Sequence, residues 1–512
     1  STNRIIKGFL PDGLRVSMNL DGSAAWGEKS ADDLLDEFLL PFQDGPPSDN
    51  IVHLLAVNDG RLLEWIDGVE DRLQRETPLT RELLSLLHSK AASQPHIRFI
   101  SLNQRSLVGG ITSDGTRIDT SFLEQLLDHL YGAERAREIW APCQTCSAMN
   151  RCQVFRATQI FGPKSLPSSV SNEVRERSRQ RLFEALQAVH LRGEAHITVR
   201  ELRAALVYIV AGVDFCDDYH EDALLDGSML PYWDRTFAVN STSRQGEVLR
   251  ELTHFDPALE SHPQIDRYLL GQPLFDGTRS VPRYGLPLDS ARRRAFFEWT
   301  EDDLKHVVPD IEYASEALGL ARGSHIGLFR QLPLNLESND LAEIARRLCA
   351  GISRLEDLPP QALDRQGMVP LRITPRTPTE TAFWVEKPLE NFRVEAVLPP
   401  EAEGIERLHR QVLLIYQYRD GNEEVLQLGA DLFHLLLELA DGYQLGDVST
   451  DDTFANLSIF VRRLVREDER KLLAWNPMQD ERIYQVAAVI RDTSEGLKQQ
   501  LEIQPVPEPE IL

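Results

Sequence analysis

Three of the chain's five cysteines lie within "WAPCQTCSAMNRC" (Trp140–Cys152), as Cys143, Cys146 and Cys152. Their spacing is Cys-x2-Cys-x5-Cys. A Cys-x2-Cys turn lets two thiolates reach one ion, a third follows after a short loop, and four soft ligands complete a tetrahedral zinc site. Cys216, in "GVDFCDDYH", is the candidate fourth ligand, and His220 is the alternative. Both follow a helix-like stretch, where a turn can return the chain to the cluster. The same spacing suits an iron–sulfur cluster, and a metal-free loop of small residues is the plainer reading. A closed four-cysteine site leaves no position for water, so structural use is expected over catalytic use. Cys349, in "IARRLCAGI", reads as a small core residue of a helix.

A second set of candidates sits at the ends of apolar runs. "NIVHLLAVNDG" (Asn50–Gly60) reads as a strand buried on both faces. Asn58 then stands at its carboxyl end, the edge where α/β sheets bind ligands. Asn-Asp-Gly is equally the composition of a plain turn. Asn103 and Arg105 follow the next apolar run, "HIRFISLNQRSLVGG" (His96–Gly110), and invite the same pair of readings. Arg200 and Arg203 fall in the first turns of a helix, within reach of a phosphate or simply of solvent. No GxxxxGK[ST], HExxH, GxSxG or GxGxxG occurs, so the standard hydrolase and dinucleotide readings have no anchor.

The elements that must position these residues alternate at first. "GLRVSMNL" is strand-like, "SADDLLDEFLLPF" is a helix capped by Ser30, and "RLLEWIDGVEDRLQ" is another helix. Strand, helix and strand at this spacing predict an α/β layer with right-handed crossovers. Helices follow: Thr120–Gly132 with a Ser121/Glu124 capping box, an amphipathic Ser171–His190, and His196–Gly212 with a Thr198/Glu201 capping box. The pattern stays mainly helical to Pro360, and Leu355–Gly367 is linker-like. Strand patterns then appear, with an Asp-Gly hairpin signal in "YRDGNEE". "ADLFHLLLELADGY" is a strongly apolar helix, further helices are expected after it, and the tail "IQPVPEPEIL" reads as extended or disordered.

The expected fold class is therefore α/β plus mainly helical and α+β regions. A partial parallel sheet resembling that of P-loop NTPases occupies 1–118, and a helical lid with the Cys-rich loop occupies 119–260. A helical connecting region spans 261–360, and a strand-containing α+β module spans 361–512.

A net charge of -25 over 512 residues disfavours DNA and anionic membranes as partners and suits a protein partner with a basic face. The most basic stretches, "VRERSRQR" (Val174–Arg181) and "ARRRAFF" (Ala291–Phe297), read as solvated helix faces. No apolar run approaches the ~18 residues of a membrane span. An odd, clustered cysteine count without a secretion signal points to a reducing cytoplasm. The chain begins with Ser1, which suggests a processed start or an upstream portion.

Taken in order, "AVNDGRLLEW", "LNQRSLVGG", the Cys-x2-Cys-x5-Cys loop and "HITVRELRAALVYIVAG" resemble bacterial AAA+/STAND-type P-loop ATPases of anti-phage defence. Relatives of those proteins accompany BREX and phosphorothioation-dependent restriction systems. "LLELADGY" and "FDP" (Phe255–Pro257) are similar to their C-terminal parts. The resemblance implies an ATP-binding component that couples nucleotide state to recognition of a partner or DNA. Asn58 and Arg105 would be the sensor residues, and Arg200 and Arg203 the nucleotide-binding ones, with ATP and Mg as cofactors. In that family a phosphate loop precedes the Asn-bearing strand. Here none does, so either an upstream half completes the ATPase or hydrolysis has been lost. The other expectation is a zinc-stapled scaffold or adaptor subunit of a defence complex.

Overall fold

The computed structural model describes residues 4–11, 13–47, 50–88, 94–193, 197–213, 216–220, 230–238, 246–272, 284–308, 318–334, 338–355, 358, 360–363, 365–373, 381–399, 405–443, 452–466, 471–476, 482–493 and 496–506. They form a mixed helical and β protein of two compact units, Ser1–Asn103 and Gln104–Leu512.

In the first unit, strands β1 (Ile5–Phe9) and β2 (Arg15–Asn19) form an antiparallel hairpin, and β3 (Ile51–Leu55) lies parallel to β2. The β2–β3 crossover carries helix α1 (Ala31–Leu39), capped by a Ser30/Asp33 box, because parallel neighbours cannot be joined by a tight turn. Helices α2 (Asp59–Leu73) and α3 (Pro78–Leu87) follow. Leu35, Leu62, Trp65, Ile66, Val69, Leu79 and Leu83 make the core. Asp36 ties α1 to α2 by accepting from Trp65 Nε1 at 2.8 Å and from both terminal nitrogens of Arg72 at 2.8 and 2.9 Å.

Two expectations for this unit need correction. The β3 strand is covered on one face only, with Val52 and Leu54 at 38% and 52% exposure. The His96–Gly110 run forms no strand until β4 (Gly110–Ile111), which pairs antiparallel with β5 (Ile118–Asp119). Ile97 and Phe99 pack against the core of the first unit, whereas Ile100 and Leu102 are exposed at 54% and 67%, so the run is covered on one side and extends without strand pairing. Among the described residues the parallel pairing stops at β2–β3.

The Asn172–Arg192 helix is the spine of the second unit. Ser171 caps it by accepting the Val174 N–H, and Gly193, at φ 80°, ends it. Ala185 to Leu191 are buried without interruption. Its C-terminal half is therefore buried all round, as a core position is, while the N-terminal half keeps the expected two faces, with Glu173, Glu176 and Gln180 exposed and Arg175, Ser178 and Leu182 buried. Helices Gln153–Phe161, Glu247–Leu252, Leu288–Glu298 and Gly323–Gln331 pack around it.

Both basic stretches also belong to the interior and not to solvated faces. Arg175 donates to the carbonyls of Gly162 (2.5 Å) and Pro163 (2.9 Å), and Arg179 to that of Phe161 (2.7 Å). These groups close the carbonyl end of the Gln153–Phe161 helix, where cations are favoured. Arg292 pairs with Asp266 at 2.5 Å, and Arg293 bridges Asp234 (2.9 Å) and Asp256 (2.6 Å).

The C-terminal half contains two antiparallel sheets, ordered β10-β9-β8 and β13-β12-β11-β7-β6. Their strands are β6 (Met368–Arg372), β7 (Ala382–Pro388), β8 (Phe392–Val397), β9 (Gln411–Gln417), β10 (Glu423–Leu428), β11 (Lys471–Trp475), β12 (Tyr484–Thr493) and β13 (Gly496–Pro505). The predicted hairpin joins β9 and β10, with Gly421 at φ 88°. Among the described residues, one helix, Asp452–Arg466, follows the Ala430–Ala440 helix, and strands β11–β13 come after it where further helices were expected. Helix Ser338–Leu355 packs closely on Ala430–Ala440. A Cβ on Gly351 would lie 2.0 Å from the Leu436 carbonyl oxygen.

Candidate metal centres

The Cys-rich loop is built from turns. After the short Ala136–Trp140 helix, a 3-10 turn led by Pro142 carries Cys143, whose carbonyl accepts the Cys146 N–H at 3.4 Å. The Ala148 carbonyl accepts from both Arg151 and Cys152 N–H at 3.0 Å. Cys152 then caps the Gln153–Phe161 helix, its Sγ accepting the Phe155 N–H at 3.3 Å. Cys216 opens a 3-10 turn, Cys216–His220, beyond the helix Val199–Ala211. His220 reaches back to the loop: its Nε2 lies 3.6 Å from Cys146 Sγ and its Nδ1 3.4 Å from Ser147 Oγ.

The thiols influence one another electrostatically. Burial raises the Cys143 thiol above its ordinary range, and Cys152, Cys216 and Cys146 raise it further. Burial also raises Cys152, partly offset by the Phe155 and Val154 N–H groups, with Cys216 and Cys146 again adding to the rise. Mutually repelling thiolates at one place are the arrangement a cation relieves. All five cysteines are free. Cys349 is buried in its helix, and burial alone pushes its thiol up.

The remaining predicted residues have local roles. Asn58 is the N-cap of α2, its Oδ1 accepting the Arg61 N–H at 2.7 Å. Asn103 donates to Asp59 at 2.8 Å. Arg105, in the second unit, pairs with both oxygens of Glu406 and lies 4.8 Å over the Phe122 ring. Arg200 and Arg203 are exposed on the Val199–Ala211 helix, which the Thr198/Glu201 box caps as expected.

Set against known protein families, curated proteins and solved structures, the chain matches none. Its chemistry is therefore read from the side chains themselves.

A second ligand cluster lies deeper in the same unit. Among the described residues, His325, His434 and Glu438 are the group of three whose ligand atoms all lie within 4.8 Å of one another. The thiols and His220 do not close to that spacing. His325 comes from helix Gly323–Gln331; His434 and Glu438 stand one turn apart on Ala430–Ala440. The two Nδ1 atoms are 2.8 Å apart, and His325 Nδ1 is 3.4 Å from Glu438 Oε1. Burial, with His325 and Arg322 adding to it, lowers His434 to about 4, so its ring is neutral at pH 7. Arg322 pairs with Asp431 at 3.1 Å and thereby joins the ends of the two helices.

Sequence reasoning missed this cluster. The His434–Glu438 spacing is visible in "DLFHLLLEL", but 109 residues separate His325 from His434. No local pattern announces that meeting.

Among the described residues, no helix is long and apolar enough to cross a membrane.

Proposed function

We propose that the protein is a zinc-stapled scaffold subunit that holds a protein partner, not a nucleotide hydrolase in its own right. One observation carries this reading: potential ligands from two distant segments, Cys143/Cys146/Cys152 and Cys216/His220, share one electrostatic neighbourhood at the ends of helices. Zinc accepts thiolate and imidazole in tetrahedral sets, and a closed set of this kind stabilises a fold. The loop itself offers little core, since Cys143, Cys146 and Cys152 are only half-buried and Ala148 is the one buried residue between Trp140 and Cys152. The chain's charge of -25 favours a partner with a basic face.

The defence-ATPase reading rests on the resemblance alone. The Asn58 amide oxygen is occupied by its helix cap, and the paired Arg105 is held by Glu406. The deciding experiment combines zinc analysis of chelator-free protein with calorimetry against ATP·Mg. About one zinc lost on Cys146→Ser, with no heat of ATP binding, supports the scaffold. ATP binding that disappears in Asn58→Ala would replace it with the nucleotide reading. Protein free of zinc and indifferent to chelators would remove the staple.

A further inference from the structure

We infer that His325, His434 and Glu438 form a second, separate site for a divalent transition metal, with one coordination position open to an external ligand. Two imidazole nitrogens and one carboxylate oxygen are a donor set that suits zinc and its neighbours, and three protein ligands leave a fourth position free.

The geometry is close to what such an ion needs. Ligands four apart on a helix share a face, so His434 and Glu438 point the same way. Two ligands bound at about 2.0–2.1 Å to a tetrahedral ion are roughly 3.3 Å apart. Glu438 Oε1 is already 3.4 Å from His325 Nδ1, whereas the two Nδ1 atoms, at 2.8 Å, must separate slightly. At that distance, without an ion, one Nδ1–H donates to the other Nδ1.

The surroundings select which nitrogen is free. His325 Nε2 faces Asp441 Oδ2 at 3.4 Å, and Arg347 holds both oxygens of Asp441 at 2.8 and 3.0 Å. A proton on Nε2, facing that carboxylate, leaves the Nδ1 lone pair for an ion, and a carboxylate is the usual outer partner of a metal-bound histidine. The shared proton then belongs to His434 Nδ1. On metal binding the Nδ1 proton is released to solvent while Nε2 takes one up, so the His434 ring changes tautomer and stays neutral. The Glu438 side chain is 39% exposed, so the ligand set has an edge open to solvent from which an external ligand reaches the fourth position; His325 and Asp441 line a neighbouring cavity of about 760 Å³.

This site uses none of the cysteines, so it stands or falls independently of the zinc staple. Cobalt(II) separates the two: thiolate ligation gives an intense sulfur-to-metal charge-transfer band, whereas nitrogen and oxygen ligands give only weaker d–d bands. Chelator-treated protein is titrated with Co²⁺, and azide is then added. The expected result is a saturable d–d component without charge transfer that is lost in His434→Gln. It should weaken by about 10–100-fold in Asp441→Asn, and azide should shift its bands. Glu438→Gln changes a partly exposed residue and serves if His434→Gln fails to fold; it too should abolish or weaken the component at least severalfold. Absence of the component, or its persistence in both ligand variants, overturns the site. Bands indifferent to azide overturn the open position.

Discussion

The two ligand clusters of the second unit solve opposite problems. The thiol cluster sits on turns with little apolar company, its ligands half-buried or exposed and spread wider than a bound ion would hold them. The imidazole cluster sits between packed helices, with His325 at 4% exposure and its ligand atoms already converged. In the first place an ion would supply the missing core; in the second the core supplies the site. A metal that makes structure and a metal received by structure should respond differently to removal.

The largest effect should come from chelation. Structural zinc contributes on the order of 10 kcal/mol of binding free energy, comparable with the ~5–15 kcal/mol that stabilises a whole domain. A chelator, or Cys146→Ser, should therefore open the 140–212 region to limited proteolysis, whereas His434→Gln should not. Equal sensitivity in the two variants would erase the contrast.

Fixed charges provide the next test. Arg293 bridges Asp234 and Asp256, and its side chain is only 14% exposed. Arg293→Leu strands two buried carboxylates and should cost about 3–5 kcal/mol in denaturant unfolding. Zinc content should remain at the wild-type level. Loss of zinc together with stability would mean that the staple depends on this network.

A smaller effect concerns the helix that carries His325. His409 is fully buried, stacks on Phe329 at 4.9 Å and has one ring nitrogen 2.7 Å from the Phe329 carbonyl oxygen, which places the N–H there. Burial lowers it to about 4. An unfolded chain protonates histidine near pH 6.5, so as pH falls the unfolded state takes up the proton first. Stability should be complete above pH ~6.5 and fall by up to about 3 kcal/mol towards pH ~4. Comparing the pH dependence of His409→Gln with that of wild type isolates this loss; identical curves would refute it.

The smallest effect lies outside both clusters. Asn58→Ala should cost about 1 kcal/mol through the lost cap. A measured cost near zero would show that the amide is not committed to the helix.

Local chemistry was legible in the sequence, and tertiary meetings were not. The Thr198/Glu201 box, the Ser30 cap and the Asp-Gly hairpin form as their spacing indicates. The Ser121/Glu124 box does not: Thr120 precedes the helix, Ser121 Oγ donates to Asp119 at 2.7 Å, and Glu124 is drawn to Arg179. Asn58 read either as a ligand residue at a strand end or as part of a plain turn; the fold uses it as a helix cap, which neither reading named. The arginine runs at 174–181 and 291–297 looked solvated because charge alone cannot reveal that carbonyls and carboxylates wait inside. The Cys-x2-Cys pair was legible because a turn brings it together. His325 and His434 meet only after two helices have packed.

Gly351 lies far along the chain from every ligand, yet it sets where the Ala430–Ala440 helix can rest. A hydrogen is all that fits between its backbone and the Leu436 carbonyl, and Leu436 lies between His434 and Glu438 on the same helix. The two helices meet there like parts machined to zero clearance. Even a methyl group at position 351 would act as a shim, lifting the ligand-bearing helix and detuning the pair without touching either residue.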